Sequence, residues 1–174
     1  MFKRINRREQ YKDKFITIFS DTVVVDDDMT TKYHVIHYDQ TSVISVVKKG
    51  ECFLMVHSPR YIVNDVQIEF PAGKIEAGEN PIEAAVREPF EETSIKVCNS
   101  RLVHEYYPSF GHSDEKVYIV FSDYQEGTEH PQELETIDVK WYTKEQIVDM
   151  ARAGKITNGL TLSALLYILI AQSD

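Results

Sequence analysis

Hydrophobic residues fall along this chain in short runs, most with the period of two that marks a half-buried strand. Residues 15–25, rich in β-branched side chains, predict a strand, Asp26-Asp27-Asp28 a turn and residues 31–38 a second strand. Residues 42–48 and 52–57 are apolar runs separated by Lys49-Gly50-Glu51, a hairpin signal. Residues 61–70 then lead into Pro71-Ala72-Gly73. The period becomes helical after Asn80, a good N-cap followed by Pro81, which suits the first helical position. Ile82, Ala85, Val86, Phe90 and Thr93 recur at helical spacing and are expected to form the inner stripe. Strands follow at residues 96–106, 116–124 and 139–142, and residues 143–153 and 158–171 read as two closing helices. No internal repeat or low-complexity tract interrupts the pattern. It predicts an α+β fold in which helices cover a mixed sheet, an α/β/α sandwich.

Composition narrows the class. The 174 residues suffice for one domain with a sizeable core, and 43% hydrophobic with 27% charged residues is ordinary for a globular chain. A formal charge of −9 argues against nucleic acid or an anionic membrane as partner. It would also repel a phosphorylated substrate unless metal and local arginines reverse the sign at the site. Cys52 and Cys98 are too few for a disulfide framework and are expected to be buried free thiols in a reducing cytoplasm. Residues 1–15 are basic, with no apolar stretch after them to act as a signal. The longest apolar run, near Leu162, is too short to span a bilayer.

The chemistry concentrates between Gly73 and Ile95. Glu88, Glu91 and Glu92 stand three and four apart on the predicted helix, so they project as one acidic cluster. Oxygen donors gathered in this way suit Mg²⁺ or Mn²⁺. The competing reading is a solvated, Glu-rich helix held by pairs such as Glu83–Arg87 and Arg87–Glu91, but such a helix does not require a preceding glycine loop. Asp26-Asp27-Asp28 lacks the glycine and terminal glutamate of a calcium loop.

The run from Gly73 to Ile95 resembles the Nudix box: Gly, five residues, Glu, seven residues, Arg-Glu, an apolar residue, any residue, Glu-Glu, any residue, Gly and an apolar residue. Gly73, Glu79, Arg87, Glu88, Glu91, Glu92 and Ile95 match it. Pro89 replaces the apolar helix former and Ser94 replaces the second glycine. Inside a helix, Pro89 would remove the hydrogen bond to the Ala85 carbonyl and kink the axis, at about 3 kcal/mol where nothing compensates. Ser94 in a left-handed cap would cost about 1 kcal/mol. The resemblance implies a divalent metal held by Glu88, Glu92, Glu91 and the carbonyl of Ala72. Arg87 would pair with Glu91 or Glu79 and orient the carboxylates, with Glu79 a structural partner or, alternatively, a distant ligand.

The run from Tyr106 to Glu115 is similar to the loop that follows the box in ADP-ribose pyrophosphatases, with Tyr107, Ser109, Gly111, Ser113 and Glu115 matching. Phe110 stands where that subfamily carries a marker proline, in the region that meets substrate. Glu115 is implied to be the general base or the carboxylate that positions the attacking water. The segment before the box extends the resemblance, which implies Arg60 near the pyrophosphate and Glu69 near the metals or substrate; an arginine fork suits phosphate oxygens. The candidate catalytic set is therefore Glu115, Arg87 and Glu91, with Arg60, Glu69 and Phe110 as substrate contacts.

In these relatives the N-terminal strands form a small sheet that mediates dimerisation, which implies residues 1–40 as a dimerisation region and residues 41–174 as the Nudix hydrolase domain. An aromatic such as Phe15, Tyr33 or Tyr38 could stack on a base there. The resemblance implies Mg²⁺-dependent cleavage of a nucleoside diphosphate sugar, with ADP-ribose the leading substrate, by a cytoplasmic homodimer. Two alternatives stand beside it: a nucleoside triphosphate housecleaning hydrolase of the same superfamily, and a ligand-binding Nudix domain with weak or no catalysis.

Overall fold

Backbone pairing, rather than apolar burial, builds the N-terminal sheet. Strand β1 (Lys3–Lys12) is exposed at every position, yet it pairs antiparallel with β2 (Ile16–Asp26), which pairs in turn with β3 (Met29–Tyr38). The hydrophobic pattern predicts β2 and β3 but not β1, because a charged edge strand has no alternation to read. Its anchor is electrostatic: Arg7 lies opposite Asp21 in the ladder and donates two hydrogen bonds to its carboxylate, at 2.8 and 2.7 Å.

The computed structural model describes residues 2–26, 29–132 and 136–170. Asp27 and Asp28 of the expected turn, and Ala171 at the end of the expected last helix, lie outside them. The chain divides into two compact units, Met1–Thr41 with Tyr106–Val117, and Ser42–Glu105 with Tyr118–Asp174.

The larger unit is organised around a seven-stranded mixed sheet. Strand β4 (Ser42–Lys49) is central, buried from Ser42 to Val47 on both faces, as expected of a near-continuous apolar run. It turns at Gly50, whose φ of +59° needs no Cβ, into β5 (Cys52–Arg60). Strands β6 (Asp65–Glu69) and β7 (Ala72–Lys74) pair with β5 and β4 respectively. Residues 72–74, expected as loop, are thus tied into the sheet. Strands β8 (Ile95–Tyr106), β9 (Val117–Gly127) and β10 (Asp138–Thr143) complete the order β10-β5-β4-β9-β8.

Three helices cover this sheet. Helix α1 (Pro81–Thr93) packs on β4 and β7, α3 (Gly159–Ile170) on β4, and α2 (Lys144–Arg152) on β10 and α3. Successive residues of a strand point to opposite faces. Val43 clusters with Ala84 and Ala85 of α1, while Val46, on the opposite pleat, shares a cavity wall with Ile168 of α3. The α/β/α layering follows. Cys52 and Cys98, expected buried, are half-buried free thiols near strand ends. Among the described residues no helix is long and apolar enough to cross a membrane.

Candidate active site

Local rules set the start of α1. The Asn80 side chain accepts from the backbone N–H groups of Ile82 and Glu83, at 2.9 and 3.1 Å, and Glu83 accepts from the Asn80 N–H at 2.8 Å. This reciprocal box is legible in the spacing Asn-x-x-Glu. It also engages Glu83 at the cap, not in the pair with Arg87 that the competing solvated-helix reading called for.

The helix then runs through Pro89 without a break. Proline has no N–H, so the carbonyl of Ala85 lacks its helical donor. The hydroxyl of Ser45, fully buried on β4, fills that place with a 2.7 Å hydrogen bond. At the other end Ser94 takes the left-handed cap, φ +62°, and its N–H donates to the Phe90 carbonyl at 2.8 Å.

The face of α1 that meets the sheet keeps Ala85 and Thr93 of the expected stripe but not Ile82, Val86 and Phe90. Ala84, Ala85, Glu88, Pro89, Glu92 and Thr93 are buried, whereas Ile82, Val86 and Phe90 are 39–49% exposed. Two adjacent alanines let the helix approach β4 closely, and the Ser45 bond fixes its rotation. That rotation turns Glu88 and Glu92, each only 7% exposed, inward.

Both carboxylates meet the strand that precedes the helix. A Cβ at Gly73 would overlap the Glu88 carboxylate, so glycine is what allows this approach. The Ala72 N–H donates to Glu92 at 3.2 Å. Glu91, more exposed, turns instead to Arg87.

Arg87 is the hub. It donates to both oxygens of Glu79 at 2.9 Å, to Glu88 at 2.8 Å, to Glu91 at 2.7 Å and to the Lys74 carbonyl at 3.0 Å. Its guanidinium pKa is pushed up, first by the Glu79 hydrogen bond and against the effect of burial, with Glu91 and Glu88 adding to the rise. The Glu79 carboxyl is correspondingly held low, chiefly by Arg87 and, against burial, by the Glu76 N–H as well. Among the described residues, no group of three or more His, Cys, Asp or Glu side chains is arranged to hold a metal ion. Glu88 and Glu92 nonetheless place buried oxygens beside a strand backbone. Such an all-oxygen donor set fits a hard divalent cation.

Arg60 and Glu69, both expected as substrate contacts, form one ion pair, with Arg60 donating to the buried Glu69 at 2.7 Å.

The loop bearing Glu115 and Phe110 belongs to the smaller unit. It is fastened along β3: Ile36 N–H donates to the His112 carbonyl at 2.8 Å and Asp114 N–H to the Ile36 carbonyl at 3.2 Å. The Asp114 carboxylate meets the His37 ring at 2.5 Å and accepts from the Tyr38 N–H at 3.0 Å. Glu115 is half-buried, with its N–H on the Ser113 hydroxyl at 3.1 Å. Burial, with the nearby charges of Glu115 and Asp114, pushes the Tyr38 phenol pKa up. Phe110 is 83% exposed, and His112 pairs with Ser109 at 3.0 Å. Of the aromatic candidates, Phe15 is exposed and Tyr33 lies 5.8 Å from the ring of Phe2.

Residues 37–160, the greater part of the chain, match the NUDIX domain. The chain belongs to the Nudix family. It is 25% identical to an ADP-ribose pyrophosphatase of Bacillus subtilis over 98% of this chain and 94% of that protein. It is 24% identical to a CMP-5'-(N-acetyl-N-hydroxy-3-aminopropyl)phosphonate hydrolase of Streptomyces rubellomurinus, over 93% and 79% of the two chains. A crystal structure titled ADP compounds hydrolase superposes with a TM-score of 0.87 at 16% identity, covering 99% of this chain and 94% of that one, and shows the same fold. Within that family it is similar to an ADP-ribose pyrophosphatase along nearly its whole length.

Proposed function

We propose that this Nudix protein hydrolyses the pyrophosphate of a nucleoside diphosphate sugar, with ADP-ribose as preferred substrate and AMP and ribose 5-phosphate as products. The observation that carries the reading is the seating of the Glu88 and Glu92 carboxylates on the Ala72–Gly73 backbone. The full-length similarity to an ADP-ribose pyrophosphatase supports the substrate class.

Glu88, Glu92 and the Ala72 carbonyl would hold Mg²⁺ or Mn²⁺, with Glu91 as a further ligand. A divalent ion bound there supplies Lewis-acid polarisation of the phosphoryl group and charge neutralisation. Arg87 holds Glu88 and Glu91 in place and, through Glu79 and the Lys74 carbonyl, ties them to the turn before the helix. Arg60, held by Glu69, is proposed to meet the phosphate oxygens. Glu115 takes the proton of the attacking water as its oxygen bonds to phosphorus. The bridging P–O bond breaks, and the leaving phosphate keeps the electron pair. The role given to Glu115 rests on the resemblance of its loop. A homodimer joined through residues 1–40, working in the cytoplasm, completes the proposal.

The test is phosphatase-coupled phosphate release from a panel of nucleoside diphosphate sugars and nucleoside triphosphates, with Mg²⁺. Fast turnover of ADP-ribose that Glu92→Gln abolishes is expected. A triphosphate turned over faster would overturn the substrate assignment, and a folded protein silent across the panel would make it a binding domain.

A further inference from the structure

A cavity lies in the larger unit, on the sheet face opposite α1. Its volume is about 380 Å³, and its walls include Val46, Phe53, Phe121 and Ile168. Ser45 on β4 reaches α1, whereas Val46 and Lys48, on the other pleat of the same strand, line this cavity. It is therefore separated from the Glu88–Glu92 cradle by the sheet itself.

The charges in the wall are unusual for a chain of net charge −9. Lys48 comes from β4 and Arg101 from β8, on either side of the strand that carries Phe121. Neither makes an ion pair among the described residues; Arg101 lies 5.9 Å from the centroid of the Phe121 ring. The one acid in the wall, Asp123, accepts a 2.9 Å hydrogen bond from Asn99, itself a wall residue at φ +52°. Two cations against one acid, neither of them ion-paired among the described residues, leave the wall net positive beside two aromatic rings, complementary to a molecule with an anionic group on a flat apolar body.

We infer that this cavity binds a small aromatic anion: a carboxylate, sulfonate or phosphate carried on a ring system, its charge on Lys48 and Arg101 and its ring against Phe53 and Phe121. The site is independent of the hydrolytic one and needs no metal.

The test uses 8-anilinonaphthalene-1-sulfonate as probe on the full chain in EDTA, read by fluorescence titration. Saturable binding at one site per chain is expected. Binding should weaken by about tenfold or more in the double variant K48M/R101M, which keeps the apolar stems of both side chains, and should be restored in K48R/R101K. It should be unchanged in E92Q, which disturbs only the hydrolytic site. The uncharged N-phenyl-1-naphthylamine should not respond to the K48M/R101M change. Equal sulfonate affinity in K48M/R101M, loss of binding in E92Q, or the absence of saturable binding would each overturn the inference. Because Lys48 and Arg101 are not fully buried, K48M/R101M is expected to fold, and its amide spectrum checks that directly.

Discussion

Ser45 supplies the hydrogen bond that Pro89 removes: its hydroxyl donates at 2.7 Å to the Ala85 carbonyl, the acceptor a residue at position 89 would ordinarily satisfy from within the helix. A departure from the Nudix pattern in one element is thus matched by a polar residue in the core of another. Ser45 sits in the middle of the buried face of β4, among valines and isoleucine, where a hydroxyl without a partner would be costly.

Replacing Ser45 with alanine should therefore leave a buried carbonyl unsatisfied and destabilise the fold by about 1–3 kcal/mol. In a Pro89→Ala background residue 89 can donate again, and the cost of Ser45→Ala should drop by at least half. Urea unfolding of the four proteins, compared by midpoint at constant slope, reads the coupling directly. Additive effects would mean that the Ser45 bond does not compensate for the proline.

Gly73 is held to glycine by the Glu88 carboxylate, which occupies the space of its missing Cβ. Gly73→Ala must push that carboxylate away or shift β7. The fold should survive, because β7 is a three-residue strand that pairs with only the first three residues of β4. Turnover should fall by about a hundredfold, the scale on which small misplacements of reacting groups act. Steady-state kinetics beside a melting curve separates the two effects: a loss of activity explained by unfolding alone would remove the claim.

Arg87 serves Glu79, Glu88 and Glu91 through one planar fork, a geometry lysine cannot reproduce. Arg87→Lys keeps the charge but should release Glu91 and loosen Glu88. Mn²⁺ affinity, followed by loss of the free-ion electron paramagnetic resonance signal, should weaken about 10- to 100-fold. Unchanged affinity would reduce Arg87 to a surface ion pair.

Most of the sheet was legible from alternation, and the box helix from its Asn80-Pro81 start. Two features escaped for physical reasons. Strand β1 is a charged edge, held by its ladder and by Arg7, so it carries no apolar signature. The rotation of α1 is only partly legible: Ala85 and Thr93 are buried as their spacing predicts, but Ile82, Val86 and Phe90, which look like the rest of a core stripe, face outward. The helix instead buries two alanines and two glutamates, and a periodicity argument assigns carboxylates to solvent. The spacing of Glu88 and Glu92 still indicated one shared face. That Arg60 and Glu69 belong to a single ion pair could not be read from positions nine apart; it depends on the antiparallel pairing of β5 with β6.

The same Arg7–Asp21 pair gives the smaller sheet a pH dependence of known sign. Asp21 is buried beside the Arg7 guanidinium, whose hydrogen bonds hold its carboxyl below the ordinary value of 3.8; burial opposes this, and the charges of Arg7 and Arg4 reinforce it. A lowered folded-state pKa means that the folded sheet prefers the ionised form. The stabilisation is therefore fully present above 3.8 and is lost as pH falls through the lower, folded-state value. Asp21→Asn leaves the packing in place but removes the charge, and should lower the protection of the β1 and β2 amides by about 1–2 kcal/mol at neutral pH. The gap between the two proteins should stay flat down to about pH 5 and close below 3.8, as the native Asp21 takes up its proton. Amide hydrogen exchange, corrected for the intrinsic pH dependence of the exchange rate, follows it strand by strand. A gap that instead widens on acidification would show that Asp21 is destabilised in its charged form, and that β1 is held by its backbone ladder alone.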